Sequence, residues 1–466
     1  KGGLRRKAAG EPARSPQIKV APREQVNLVL GDGLLLIYVR EVTAMFDVEI
    51  LRKDRPMVEE MLKKRGAEAP LDRILSLDSD RLALVRKINS LREERNRISQ
   101  EVKGCKDPQA KERLIESNRA IRTEVSEAET QLTEIEKELR SIVLWVPNLI
   151  APEVPYGPDE SGNVVVRSWG ESRKFDFPVK DHVELGERLN ILSMSMGAKT
   201  WGTRTYYLLN DAVFLEFALV RYTLDLLASE GFKAVIPPVM ARPDILEGTR
   251  HYPFFKDQIY RIEGQELGLV GTSEIPLAAM HAGDILDETD LPLKYAGFSP
   301  CYRTELGSGG RDIRGLIRTH HFDKVEMFVF DRPEDSSKTL EYMVSLEERI
   351  YQGLGIPHRV VLMCTGDLGP VAYKKYDLEF WKPADELFRE ITSCSNCTDF
   401  QARGLNIRYR PAAGGKPEYV HTLNGTATAV GRTLVAILEN YQNPDGSVTV
   451  PEVLRQHMPG GQARIG

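Results

Sequence analysis

A heptad repeat in the first third of the chain constrains the fold more than any other feature of the sequence. Across residues 114–142 nine positions alternate four and three residues apart, and all of them except Asn118 are apolar. A run with the same spacing, residues 84–102, precedes it. A heptad repeat of this length is typical of a coiled coil. Because the link 104–109 contains a glycine and a proline, which end a helix, the sequence predicts two antiparallel helices with their tip near residues 103–108.

The charge along these two helices is uneven. Residues 81–122 contain twelve basic side chains and six acidic ones, whereas residues 124–138 are mainly acidic. A basic surplus confined to the half nearest the tip suits contact with a phosphate backbone, with an affinity that depends strongly on salt. Mixed charge on a solvated coiled-coil face can also serve solubility alone. We favour nucleic-acid contact because the surplus is confined to one half. The residues expected to make it are Arg92, Arg95, Arg97, Lys103, Lys106 and Arg113.

A second informative segment is residues 301–328, CYRTELGSGGRDIRGLIRTHHFDKVEMF. Aromatic and β-branched residues flank a loop rich in glycine, which predicts a strand–loop–strand hairpin. Arginine binds phosphate oxygens in a bidentate way, and glycine lets the backbone approach a ligand closely. A ligand with phosphates and a planar base is therefore one interpretation and a solvated surface hairpin is the other; the segment alone favours neither. Its cations are Arg303, Arg311, Arg314, Arg318 and Lys324, its glycines are Gly307, Gly309, Gly310 and Gly315, and its flanking carboxylates are Glu305 and Glu326.

Composition limits the class of protein. A chain of 466 residues is long enough for two or three domains, and its net charge of −5 means that any nucleic-acid affinity must come from a local patch. The five cysteines are sparse and odd in number, which indicates a reducing compartment rather than a disulfide framework. The longest apolar run, residues 26–39, is interrupted by Asp32 and is too short to span a bilayer, so we expect no membrane association.

The first 24 residues contain seven basic side chains and two acidic ones. A basic, acid-poor leader resembles what remains beside a removed organelle-targeting peptide. A basic tail of no special meaning explains the composition nearly as well. We expect the mitochondrial matrix, with the cytoplasm as the alternative.

The second half of the chain changes to short strands, turns and helices. Residues 211–229 predict a helix with a long apolar face, and residues 231–240, GFKAVIPPVM, predict an apolar strand after it. Residues 421–442 switch from strand to helix, with Arg432 where the helix begins. An arginine near the amides of a helix N-terminus suits a phosphate. Neither GxxxxGK[ST] nor GxGxxG follows a strand, so neither common nucleotide-binding fold is indicated.

Together these segments resemble the seryl-tRNA synthetases, a family of class II aminoacyl-tRNA synthetases. GFKAVIPP matches motif 1 of the class, residues 301–328 match motif 2, and residues 424–442 match motif 3. TSE at residues 272–274, SCSNCTDFQAR at residues 393–403 and the coiled coil are characteristic of the seryl branch. The resemblance implies an α+β fold, with an antiparallel β-sheet core flanked by helices and an N-terminal antiparallel coiled-coil arm. The expected limits are 1–44 for a basic extension, 45–155 for the tRNA-binding arm, 156–450 for the catalytic domain and 451–466 for a C-terminal tail.

The resemblance also implies roles for matching residues in ATP binding. Arg303 would bind the α-phosphate, Glu305 the adenine amine, and Phe322 would stack on the adenine ring. Glu390 and Ser393 would bind Mg²⁺, with ATP phosphates as further oxygen ligands. Arg432 would bind the γ-phosphate. The rest of the expected ATP site is Thr304, Thr319, Ile391 and Thr392, and the expected catalytic residues are Arg303, Arg432 and Glu390.

The expected serine site consists of Thr272, Ser273, Glu274, Glu326 and Thr426, where many relatives carry serine at the last position. The implied function is that of a serine–tRNA ligase: L-serine is activated with ATP to seryl-adenylate and transferred to the 3′ end of tRNA(Ser), with tRNA(Sec) left open. The family also implies a homodimer formed through motif 1.

Several alternatives stand beside this interpretation. A class II homologue that loads an amino acid onto a carrier protein would lack the long arm. A catalytically inactive, RNA-binding paralogue would be expected to lose Arg303, Glu305, Glu390 or Arg432, and all four are present. The CxxC pair, Cys394 and Cys397, has no second pair, so buried structural thiols are expected rather than zinc. His320 and His321 are expected to be packing residues of the hairpin.

Overall fold

A computed structural model describes residues 46–306 and 314–466. The expected N-terminal extension, 1–44, and the loop residues Gly307, Gly309, Gly310 and Arg311 lie outside the described residues. The helices are α1 (Val48–Lys53), α2 (Arg55–Lys64), α3 (Leu71–Gly104), α4 (Pro108–Val143), α5 (His182–Arg188), α6 (Met194–Thr200), α7 (Asp211–Ser229), α8 (Pro243–Gly248), α9 (His251–Phe254), α10 (Glu274–Ala279), α11 (Ser336–Gly353), α12 (Phe400–Leu405), α13 (Val430–Asn440) and α14 (Glu452–Arg455).

The strands are β1 (Val164–Trp169), β2 (Leu192–Ser193), β3 (Tyr207–Leu208), β4 (Lys233–Val235), β5 (Met240–Ala241), β6 (Gly268–Leu269), β7 (Ile285–Asp287), β8 (Leu293–Tyr302), β9 (His321–Asp331), β10 (His358–Leu362), β11 (Lys374–Lys382), β12 (Leu387–Asn396), β13 (Arg408–Arg410), β14 (Glu418–Tyr419), β15 (His421–Ala429), β16 (Val448–Thr449) and β17 (Arg464–Ile465). Short 3₁₀ helices span Glu160–Gly162, Lys256–Gln258, Glu288–Asp290 and Pro459–Gly461.

Helices α3 and α4 form the predicted antiparallel arm. The chain leaves the helical conformation at Cys105 and re-enters it after Asp107, whose side chain accepts a hydrogen bond from the Gln109 amide at 3.2 Å. Pro108 occupies the first helical position, where its missing N–H has no intrahelical partner to lose. The break therefore falls inside the predicted link.

The interface between the two arm helices follows the heptads. Ile98, Ile121 and Val125 are buried between them. The polar heptad position, Asn118, donates from its side-chain amide to the Ser99 hydroxyl on the opposite helix at 2.9 Å. A single matched polar pair in an apolar seam favours one register of the two helices over its neighbours.

An eight-stranded sheet forms the centre of the rest of the molecule, in the order β1-β10-β11-β12-β15-β9-β8-β4. All neighbouring pairs are antiparallel except β4 and β8, which are parallel. Strands β8 and β9 are the predicted hairpin, and the buried core between this sheet and helices α7, α11 and α13 is mostly aliphatic. The predicted fold class is confirmed.

One predicted element is shorter than expected. In the apolar segment 231–240, strand β4 ends at Val235, before Pro237 and Pro238, which have no N–H to offer a ladder, and Met240 begins the separate strand β5. The side chain of Ile236 is 84% exposed, so its apolar character does not serve the core of this chain. The predicted helix over 211–229 matches α7.

Three sequence expectations concern single residues or the membrane. Cys394 and Cys397 are buried and not disulfide-bonded, and burial raises the pKa of both thiols well above the usual range. His320 stacks against Trp201 with ring centres 5.9 Å apart, and His321 packs on Tyr302. Within 46–306 and 314–466, no helix is both long and apolar enough to cross a membrane.

Candidate active site

A cavity of about 470 Å³ opens on the large sheet, between its central strands and the loops that precede β11 and α10. Most residues expected to bind ATP or serine line it: Thr272, Glu274, Arg303, Glu305, Thr319, Phe322, Glu326, Glu390, Ile391, Thr392, Ser393, Thr426 and Arg432. The hydroxyl of Ser273 is instead buried against that of Ser299, 2.7 Å away. The hydroxyl of Thr304 donates to the carbonyl of Asp257. These two side chains are directed into the surrounding structure.

The expected nucleotide side of the cavity lies on the β8–β9 hairpin. The Arg303 guanidinium donates through Nε to the Gly271 carbonyl at 3.2 Å and lies over the Phe322 ring, 5.2 Å from its centre. Glu305 forms an ion pair with Arg318. An aromatic face and a forked cation thus lie side by side, as a planar base with an attached phosphate requires.

A β-bulge builds the expected metal site. Residues three apart on a regular strand face opposite sides of a sheet. Between β11 and β12, Leu378 pairs with Thr392 but Glu379 pairs with Glu390, so Ile391 is an extra residue. The bulge brings Glu390 to the same face as Ser393, and both line the cavity. The Thr392 hydroxyl points to the other face and donates to Glu347 at 2.8 Å.

Glu390 and Arg432 form an ion pair across this side of the cavity. The Arg432 Nη1 lies 3.1 Å from Glu390 Oε1, and its Nε donates to the Ile317 carbonyl at 3.2 Å. Desolvation raises the pKa of Glu390, but the charges of Arg432 and Lys375 outweigh it and lower the pKa to about 2. The carboxylate is therefore fully ionised at neutral pH, as a ligand for a hard cation must be.

Alternation along β9 builds the expected serine side. Phe322, Lys324 and Glu326 are two residues apart and share one face of the strand. The Lys324 ammonium lies 2.5 Å from Glu326 Oε2 and donates to the Thr272 hydroxyl at 2.7 Å. Thr426, directly opposite Glu326 on β15, donates to the same oxygen at 3.1 Å. Burial raises the pKa of Glu326, while Lys324 lowers it.

Glu274 completes the acidic side of the cavity. Its Oε1 accepts a hydrogen bond of 2.6 Å from the Gln401 amide, and burial raises its pKa. His251 Nε2 lies 3.9 Å from Glu274 Oε2. Desolvation, and then the charges of Arg303 and Lys324, lower the pKa of His251 to about 3, so the imidazole is neutral at physiological pH. The carboxylates of Glu274 and Glu326 together carry more negative charge than the Lys324 ammonium neutralises, so this part of the cavity favours a further cationic group.

Sequence reasoning missed several residues that line the cavity. They are His251, Lys375, Asn424, the loop 367–372 and Lys324, which the sequence indicated only as a cation of the hairpin and not as a partner of Glu326. The two-residue spacing of Lys324 from both Phe322 and Glu326 could have revealed it. His251 and the loop 367–372 come from segments without a recognised motif, and nothing in their spacing indicates that they meet the others.

The six basic residues predicted on the arm differ in exposure. Arg97, Lys103, Lys106 and Arg113 are exposed, whereas Arg92 and Arg95 are half-buried. Arg92 forms an ion pair with Glu129 on the opposite helix at 2.6 Å. Four of the six predicted cations are thus exposed near the tip of the arm: Arg97 and Lys103 on α3, Lys106 in the turn and Arg113 on α4.

The fold and the cavity together define a class II aminoacyl-tRNA synthetase. A model of the tRNA synthetase class II core domain (G, H, P, S and T) matches residues 256–441, and one of the seryl-tRNA synthetase N-terminal domain matches residues 45–150. A serine–tRNA ligase of Symbiobacterium thermophilum is 45% identical over 414 residues, which cover 89% of this chain and 98% of that protein. The chain belongs to the seryl-tRNA synthetase family.

Solved structures agree with this assignment. The chain resembles seryl-tRNA synthetase from Pyrococcus horikoshii complexed with ATP, with a TM-score of 0.83 and 43% identity over 90% of this chain and 99% of that one. It also resembles cytoplasmic serine–tRNA ligase from Naegleria fowleri in complex with AMP, with a TM-score of 0.78 and 33% identity over 91% and 98% of the two chains. The expected family and enzyme, a serine–tRNA ligase, are confirmed.

Proposed function

We propose that the cavity is the site at which this ligase joins serine to AMP and then to tRNA, with the residue roles expected from the sequence. The observation that supports this most is the division of one cavity into three charged parts. Arg303 with Phe322 offers a nucleotide site, Glu390 with Arg432 a polyphosphate and metal site, and Glu326 a site for an ammonium group. The three parts match the three charged regions of the two substrates.

The first step is attack by a serine carboxylate oxygen on the α-phosphorus of ATP. The new O–P bond forms as the bond to the β-phosphate oxygen breaks, and pyrophosphate leaves with that electron pair. Arg303 would neutralise charge on the α-phosphate, and Arg432 on the leaving group. In the second step a hydroxyl of the 3′-terminal adenosine of tRNA attacks the acyl carbon, and AMP leaves. Positioning and charge neutralisation carry both steps.

Ion pairs within the site would exchange partners on ATP binding. Arg318 and Glu305 would separate enough for Glu305 to accept from the adenine amine, and Arg432 would turn from Glu390 to phosphate. Glu390 would then be available for Mg²⁺ together with Ser393. Both supply hard oxygen ligands, which suits this cation. The described residues contain no cluster of three or more His, Cys, Asp or Glu side chains that could hold a metal ion. Phosphate oxygens and water would supply the other ligands of Mg²⁺. Bound Mg²⁺ would supply charge to the polyphosphate.

The serine pocket distinguishes serine by its hydroxyl. Thr426 and Glu326 already share a hydrogen bond, and Thr272 accepts from Lys324, so each group is polar, buried and part of one network. The serine hydroxyl can join this network, whereas an amino acid without a hydroxyl would cover the buried polar groups and offer them no hydrogen bond, which costs more than the loss of a methyl contact. Larger side chains would clash with strands β9 and β15, on which this pocket is built.

Replacement of Arg303 tests the proposed nucleotide site. Arg303→Ala should reduce serine-dependent exchange between ATP and pyrophosphate by about a hundredfold or more, the usual effect of removing a group that binds transition-state charge. Arg349→Ala is the matched control, because Arg349 pairs with Glu230 at the surface, 47% exposed, and should leave exchange unchanged. Normal exchange in Arg303→Ala would contradict the proposed role.

Three further expectations remain proposals. We infer a homodimer through motif 1, and the exposed apolar side chains of Ile236 in that motif and of Phe214 and Phe217 on the preceding helix α7 support it. We infer the domain limits given above; the N-terminal family model spans 45–150, and the core-domain model, 256–441, lies within the expected 156–450. The basic composition of residues 1–24 supports location in the mitochondrial matrix; recovery of the native protein in the cytosolic fraction of lysed cells would refute it.

A further inference from the structure

One wall of the cavity is a loop whose backbone carbonyls accept hydrogen bonds from outside the catalytic domain. Residues 367–372 line the cavity and connect β10 to β11. Gly369 has a φ of +72°, and the carbonyls of this turn lie outside the ladder of the large sheet. Buried carbonyl groups need donors. Here the donors come from the base of the helical arm.

The first donor is Arg65, which follows α2. Its guanidinium donates to the Gly369 carbonyl, and at 2.8 Å each to the carbonyls of Ala372 and Leu149. Desolvation lowers its pKa to about 9, so the group is still charged at neutral pH. A rigid fork of donors suits three carbonyls on two segments, whereas a lysine ammonium, a point charge without the fork, can satisfy only part of them.

The second donor is Asn148, in the segment that follows α4. Its side-chain amide donates to the carbonyls of Val371 at 2.9 Å and Cys397 at 2.8 Å, and its backbone amide donates to Pro370 at 2.9 Å. The side chain is buried, and its own oxygen accepts from the Leu149 amide. Cys397 lines the cavity and its sulfur accepts from Asn424 at 3.4 Å. Asn148 thus joins the loop to a second part of the cavity lining.

We propose that Arg65 and Asn148 are positioning residues for serine binding, through which the base of the arm fixes one wall of the amino-acid pocket. The bonds reach the loop 367–372 and Cys397, whose sulfur accepts from Asn424, two residues before Thr426 on β15. The nucleotide side, on the β8–β9 hairpin, is held by contacts within its own domain, such as that of Arg303 with Gly271. Arm-base contacts therefore affect serine more than ATP. This inference rests on the proposed function of the cavity.

Kinetics of the full-length protein test the inference. Arg65→Met and Asn148→Ala should each raise the KM for serine in pyrophosphate exchange by about tenfold. A change of this size corresponds to the loss of about one hydrogen bond that involves a charged group, or of about two between neutral groups. The KM for ATP should stay within about twofold, and so should kcat per active site. Active sites are counted from the burst of adenylate formation, which removes any contribution from unfolded protein. Arg65→Lys should give an intermediate KM for serine, because one ammonium can replace only part of the fork.

The matched control is Arg55→Met on the same helix. Arg55 pairs with Glu59 and Asp72 inside the arm and should leave both KM values unchanged. A rise in both KM values together, or a loss of active sites with the KM for serine unchanged, would overturn the positioning role and leave only a structural one. Absence of serine-dependent exchange in the wild-type protein would refute the proposed function itself, so the two failures are distinguishable.

Discussion

At the scale of single residues, the charged groups of the cavity are held ready by pairing with one another. Glu305 pairs with Arg318, Glu390 with Arg432, and Glu326 with Lys324. A charge taken out of water without a partner would be strongly destabilising. The pairs of Glu305 and Glu326 therefore serve two states, since each satisfies a buried carboxylate in one state and releases it to a substrate in the other.

The Glu390 pair leads to a prediction about magnesium. Glu390→Gln removes one negatively charged oxygen ligand, so the Mg²⁺ concentration for half-maximal pyrophosphate exchange should rise by about tenfold or more. Titration of exchange rate against Mg²⁺ at saturating ATP measures this. Glu386→Gln, at the exposed turn between β11 and β12, should behave like the wild type. Unchanged Mg²⁺ dependence in Glu390→Gln would show that this carboxylate is no ligand.

Some site residues could be predicted from the sequence and others could not, for a physical reason. Arg303 and Glu305 directly follow β8 and Phe322 lies on β9, so a single hairpin brings all three to the cavity. Glu390 and Ser393 were identified only through the resemblance, because their spacing is wrong for a regular strand and depends on the bulge at Ile391. A bulge depends on the pairing with the neighbouring strand, which local sequence does not encode.

At the scale of elements, the arm was predictable because its information is local and repeated. Heptad spacing fixed both helices, and a glycine with a proline fixed the turn between them. Strand β4 is shorter than the predicted segment because Pro237 and Pro238 follow it closely. The exposed side chain of Ile236, just after β4, supports contact outside this chain. The sequence could not predict the cavity wall 367–372, because its hydrogen-bond donors, Arg65 and Asn148, are more than 200 residues away along the chain.

The exposed cations of the arm carry the second prediction. Replacing Arg97, Lys103 and Arg113 with Gln should weaken tRNA(Ser) charging by raising the KM for tRNA, since each lost phosphate contact removes part of a salt-dependent affinity. Serine-dependent pyrophosphate exchange should be unaffected, because the arm tip does not contact the cavity. Charging measured at two salt concentrations should also show a shallower salt dependence than the wild type. Equal losses in exchange and charging would contradict a tRNA-binding role for the tip.

At the scale of the whole molecule, the arm, the cavity and an exposed apolar face have separate positions in one chain. Phe214 and Phe217 lie three residues apart on one face of α7, and Ile236 follows β4 at the end of the sheet order. Exposed fractions of 62% for Phe217 and 84% for Ile236 are unusual for large apolar side chains. Exposed apolar side chains of this size are typical of a protein interface, and a symmetric pair of copies would cover the same side chains on both.

The last prediction concerns the dimer. The wild-type protein should have about twice the chain mass of 52.5 kDa by light scattering after size-exclusion chromatography. Phe217→Asp with Ile236→Asp should shift the mass to that of one chain, because burying two unpaired carboxylates in an apolar interface costs several kcal/mol. Ile115→Asp, at a 52% exposed apolar position on the arm, is the matched control and should leave the dimer intact. A wild-type monomer would refute the dimer, and a double variant that stays dimeric would place the interface elsewhere; in both cases the exposure of Ile236 would need another explanation.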